Sequence, residues 1–145
     1  MKTFEELAKD PMGEKYIDRY DDGIRVVVLR GPGSLCAYLG IPVDHPLAGN
    51  NYDDLRVSCN GGLTFGREGD GTYLPKGYFF YGWDYNHCDD VSFSDLTSSY
   101  KRSGKQWTVG DVEKELWSAV YDMKALMKIA EFCFQKGAGW RNRAD

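Results

Sequence analysis

The chain is short of basic charge. Among its 145 residues, 18 lysines and arginines stand against 22 aspartates and glutamates, for a formal net charge of −4. Proteins that hold nucleic acid by its phosphates need a concentrated cationic footprint, so direct nucleic-acid binding is not expected. The acidic doublets Asp21-Asp22, Asp53-Asp54 and Asp89-Asp90 suit a solvated surface or a basic protein partner. No apolar run approaches the roughly 18 residues of a membrane span, and the opening MKTFEELAKD carries acids where a secretion signal needs an apolar core. The expected location is therefore the cytoplasm. Cys36, Cys59, Cys88 and Cys133 form no C-x-x-C pair, which argues for reduced thiols rather than a disulfide framework. H-E-x-x-H, P-loop and G-x-S-x-G signatures are also missing.

What is present suits one domain over residues 1–145, with 42% hydrophobic and 14% aromatic residues to build a core. A short helix is expected within residues 1–10, where Thr3 and Glu6 have capping-box spacing and Pro11 ends the run. GIRVVVLRG reads as a strand buried on both faces at Val26, Val27 and Val28. Glycine, proline and asparagine recur so often over residues 32–54 that mostly irregular chain is expected there, with one helical turn around Leu35 to Leu39.

Leu55, Val57 and Cys59 alternate with polar residues as in a half-buried strand, broken at Gly61-Gly62 and restarting over Leu63 to Phe65. YFFYGWD is a second strand, antiparallel to that one across the glycine-rich REGDGTYLPKG connection. Apolar residues from Val112 to Ala130 recur every three or four positions, predicting a helix from about Asp111 to Lys136. Gly137 supplies its stop, and 138–145 reads as a loose tail.

The densest chemistry is YGWDYNHCDD, residues 81–90. Asp84, His87 and Asp90 are spaced by three and converge if the chain turns tightly. His45 lies in a proline-bounded loop, and Cys59 just precedes the glycine pair. Zinc accepts nitrogen, sulfur and carboxylate oxygen in a tetrahedron, so His45, Cys59, Asp84 and His87 form a chemically complete set. Cys88 and Asp90 are substitute ligands. The plainer readings are a hydrogen-bonded His45, a core Cys59, and an Asp84 that caps the following turn. A three-ligand site would instead leave room for an activated water, with Asp84 or Asp90 as base.

HPLAGNNYDDLRVSCNGGLTF, then YFFYGWDYNHCDD, then a VEKEL helix resemble a family of small phage and prophage proteins with H-P-L-x-G-x-x-Y, H-G-G-L-T-[YF] and G-[FW]-D-x-x-H-x-x-D motifs. His45, Gly61, Gly62, Thr64, Asp84, His87 and Asp90 occupy motif positions over roughly residues 45 to 120. One departure stands out: Asn60 replaces the histidine before the glycine pair. The chain is also similar to zinc-containing anti-CRISPR inhibitors of type II-A Cas9. That resemblance implies a non-enzymatic inhibitor that binds a host immune effector, Cas9 foremost, and blocks loading of target DNA into its basic channel.

The expected fold is α+β: a small, mainly antiparallel sheet on the long C-terminal helix, with its loop-rich half tied by structural zinc. The alternative is a metal-dependent hydrolase or nucleotide-processing enzyme using the same cluster. A virion or assembly component is a third class.

Overall fold

A computed structural model describes residues 1–99 and 103–136, with side chains at all of these except 135 and 136. The expected helix stop at Gly137 and the tail 138–145 lie outside the described residues. The fold is α+β. Helix α1 spans Phe4–Lys9, followed by strands β1 (Lys15–Asp21), β2 (Ile24–Arg30), β3 (Leu35–Pro42), β4 (Phe65–Glu68) and β5 (Tyr78–Asp84), and by helix α2 (Val109–Lys136). All pairings are antiparallel, in the order β1-β2-β3-β5-β4.

The local chemistry accounts for most of these elements. Thr3 and Glu6 close the expected capping box on α1. Asp22 and Gly23 both take positive φ, 50° and 84°, the paired left-handed conformation that joins β1 to β2 in a tight hairpin. Thr108 opens α2, accepting from the Asp111 amide and donating its own to the Asp111 carboxylate.

β3 departs from the irregular chain and helical turn expected around 35–39. Leu35, Ala37, Leu39 and Ile41 all point into the core, while β2 pairs along one edge and β5 along the other. Two flanking ladders satisfy the backbone, so long-range pairing overrides the turn-forming composition of its neighbours. Gly40 and Gly82 admit the rings of Phe80 and Tyr38, where an added Cβ would stand 2.4 and 2.5 Å from ring carbons.

Residues 55–60 also differ from expectation. Their inward alternation is real, with Val57 buried and Arg56 and Ser58 exposed, but they join no strand. Carboxylates of α2 take over instead: Ser58 N–H donates to Asp122 at 2.7 Å and Asn60 N–H to Glu115 at 3.0 Å.

The main core lies between the sheet and the helices. Val26, Val28, Leu39, Tyr81 and Trp83 meet Val112, Leu116, Ala119 and Met123 of α2, with Phe4 and Leu7 of α1 at one end. Met123 is therefore packing, as its helical spacing predicted. A smaller cluster on the opposite sheet face joins Val27, Leu29 and Phe80 to Leu74. Leu74 comes from the glycine-rich connection, which thereby covers that face.

Candidate functional site

β5 delivers Asp84 to the end of the sheet, and the chain then turns so that the Asp90 N–H reaches the His87 carbonyl at 3.0 Å. Backbone bonds between Lys105 and residues 89 and 91 bring Trp107 alongside. From the other side comes the Asn60-Gly61-Gly62 turn. Gly61 has φ 72°, and an added Cβ would stand 2.5 Å from His87 Nε2. The imidazole thus rests on the glycine, in space that only a residue without a side chain leaves open.

Asp90 is the centre of this arrangement, at 3% exposure. Its Oδ2 accepts from the His87 N–H at 2.9 Å and from Asn60 Nδ2 at 2.7 Å, and lies 3.3 Å from His87 Nδ1. Its Oδ1 accepts from Trp107 Nε1 at 2.8 Å. Burial alone would raise its pKa, but these donors outweigh burial and hold the carboxyl below its ordinary range. Lys105 lies over the Trp107 ring, 4.0 Å from its centroid.

A second carboxylate faces Asn60 from α2. Glu115 Oε1 accepts from Trp83 Nε1, the Tyr85 hydroxyl and the Asn60 N–H at 3.1, 2.8 and 3.0 Å. Burial, reinforced by the Glu115 charge, pushes the Tyr85 hydroxyl far above its ordinary range, so it stays a donor. Asn60 therefore bridges two anchored acids, one by its backbone and one by its side chain. The loop, the end of β5 and the first half of α2 are joined in one network.

Not all of the predicted site residues meet here. Asp84 and His87 do, with Oδ1 and Nε2 at 3.8 Å, and Asp84 also caps its turn by accepting from the Asn86 N–H. Cys59 packs instead against the main core, where burial first and then the charges of Glu115 and Asp122 push its thiol up to about 12. His45 lies elsewhere. Its Nε2 bonds Glu131 at 2.7 Å, and its Nδ1 accepts from the Leu47 N–H at 3.0 Å. Glu131 and Glu115, which mark His45 and the Cys59-Asn60 turn, are about 24 Å apart along the helix axis.

One zinc sphere, with bonds near 2 Å, does not reach across that span. The set His45, Cys59, Asp84 and His87 is not gathered, and among the described residues no three His, Cys, Asp or Glu side chains form a metal-holding group. The side chain that faces His87 and Asp90 is Asn60. Sequence reasoning missed Trp107, which lies outside the motifs, and Glu115, which lies within VEKEL but carries no site role there. The Thr108 cap and the helical period that sets Glu115 on the Val112–Leu116–Ala119 side were the available signals.

The class defined by fold and site is an α+β domain, with a five-stranded antiparallel sheet under one long helix and a carboxylate-anchored turn at the sheet end. No protein-family model, curated protein or solved structure matches the chain. Among the described residues no helix is long and apolar enough to cross a membrane.

Proposed function

We propose that this protein acts by stoichiometric binding, as an inhibitor of a host immune effector in the manner its phage-family motifs imply, with type II-A Cas9 as the effector. The observation that supports binding over hydrolysis is the state of Asp90. Its two oxygens already receive the Asn60, Trp107 and His87 donors, whereas a general base must turn a lone pair toward a water or substrate proton. Asp84, the other candidate base, holds the turn that follows it.

The zinc implied by the resemblance is proposed for a smaller donor set than the four residues above. Asp84 and His87 are the pair able to share an ion, and two protein donors hold zinc weakly compared with the usual three or four.

The test mixes purified protein with guide-loaded type II-A Cas9 and follows complex formation by size-exclusion chromatography and target-DNA cleavage. A co-eluting complex with suppressed cleavage is expected. Full cleavage with no complex at micromolar protein would overturn the assignment. Elemental mass spectrometry of the same preparation reads the metal: the proposal expects zinc below one per chain, removed by dialysis against chelator.

A further inference from the structure

Helix α2 has a second apolar face. Its first, on Val112, Leu116, Ala119 and Met123, is buried in the core. Trp117, Tyr121, Ala125 and Ile129 follow one another at intervals of four on the outer side, which makes them successive neighbours along one stripe. Trp117 is 81%, Tyr121 74% and Ile129 60% exposed. Together they leave on the order of 400 Å² of largely apolar surface open to solvent, as much as the largest patches of ordinary monomers. A groove beside Trp117 and Tyr121 runs from this surface toward β1, where its lining turns from Val120 and Tyr20 to the ion pairs Arg19–Glu113 and Lys124–Asp22.

The charges around the stripe are sorted. All five carboxylates of α2 turn to partners in the domain: Asp111 to Thr108, Glu113 to Arg19, Glu115 to Trp83 and Tyr85, Asp122 to the Ser58 N–H, and Glu131 to His45. Lys124 is paired with Asp22. Lys114 and Lys128 stand exposed beside the aromatic residues. They lie near enough to Asp111 and Asp22 respectively to help lower that acid's pKa, but among the described residues those acids form their ion pairs with Lys105 and Lys124. The outer face of a helix in an acidic chain is therefore apolar and cationic.

We infer that this face is a docking surface for an acidic amphipathic helix of another protein, laid along α2 with its apolar side on Trp117, Tyr121 and Ile129 and its carboxylates beside Lys114 and Lys128. A second copy would bring the same lysines to the contact, so charge disfavours self-pairing. Nucleic-acid affinity draws on many phosphate contacts, and two lysines supply few. The inference is independent of the proposed effector and stands or falls separately.

The probe is a fluorescein-labelled synthetic peptide with leucines at i, i+3, i+4 and i+7 and glutamate flanks, beside a twin with lysine flanks. Fluorescence anisotropy with the full chain is expected to show the acidic peptide binding at least about tenfold more tightly than its twin. Trp117→Ala or Tyr121→Ala should each weaken that binding about tenfold, as truncation of an aromatic anchor does. The double change Lys114→Glu, Lys128→Glu should reverse the preference between the peptides. All four positions are on the surface of α2, and circular dichroism would verify that each variant retains its fold. Equal binding of both peptides, no binding, or binding indifferent to Trp117→Ala would overturn the inference. So would a wild-type dimer that becomes monomeric in Trp117→Ala, or tighter binding of a single-stranded oligonucleotide than of the acidic peptide.

Discussion

Replacing Asp90 by alanine tests whether the carboxylate-anchored turn holds the fold. The change strips acceptors from Trp107 Nε1, Asn60 Nδ2 and the His87 N–H at once. A hydrogen bond to a charged group contributes about 1.5–3 kcal/mol, and a donor left buried without a partner costs about 1–3 kcal/mol. His87 and Asn60 are partly exposed and regain some water, so the three losses do not sum fully, and a net cost of about 3–5 kcal/mol is expected. For a domain of this size that lowers Tm by roughly 10–15 °C.

The pH dependence has a definite sign. Asp90 has a lower pKa in the folded chain than its ordinary value. Its contribution is therefore complete above the ordinary carboxylate value and is lost as pH falls through the lowered one. Thermal melts of wild type and Asp90→Ala should differ most at neutral pH, and the gap should narrow as acid protonates Asp90 below its ordinary range. A variant melting within about 3 °C of wild type at neutral pH, or a gap that persists in acid, would refute the reasoning.

Three further outcomes are expected. Asn60→His places an imidazole opposite His87 and Asp90, where Asn60 Nδ2 now lies 3.4 Å from His87 Nδ1; zinc content by elemental mass spectrometry should rise above wild type. Gly61→Ala should lower Tm well beyond Gly62→Ala, because both have positive φ but only a Gly61 methyl meets His87, while nothing lies within 4 Å of one at Gly62; equal losses would remove the supporting role of Gly61. Thiol titration with a disulfide reagent at mild alkaline pH should show Cys88 and Cys133, both exposed, reacting rapidly, and Cys36 and Cys59 slowly, because burial pushes their thiols up to about 11 and about 12.

How much was legible depended on whether the information was local. The α1 capping box, the doubly buried run at Val26 to Val28, YFFYGWD and the long helix all carry their signal within a few residues, and each is present. The turn from Asp84 to Asp90 was also visible, since its i, i+3 spacing brings His87 and Asp90 together. β3 was hidden because its strand character comes from β2 and β5 on either side. β1 carries a local signal that went unread: Asp22-Gly23 before a β-branched run is a hairpin marker. Residues 55–60 alternate in burial as a strand does, yet their backbone partners are side chains from a helix some sixty residues later, which no local pattern can report. His45 was grouped with His87 by chemistry, whereas the helix sets them at opposite ends of a long span.

The strand order bears on how the chain assembles as it is made. β1, β2 and β3 follow one another through residues 15–42 and pair as a simple meander, so their ladders can close early with little loop entropy to overcome. β5 must then return across more than thirty residues to pair with β3. It brings Tyr81 and Trp83, two of the largest fully buried side chains, and α2, which seals the face, follows later still. During synthesis the apolar side of β2 and β3 therefore waits uncovered with a long free edge on β3, the state in which a nascent chain is most exposed to pairing with a neighbour. Completion of the sheet, and protection from aggregation, are delayed until the second half of the chain has left the ribosome.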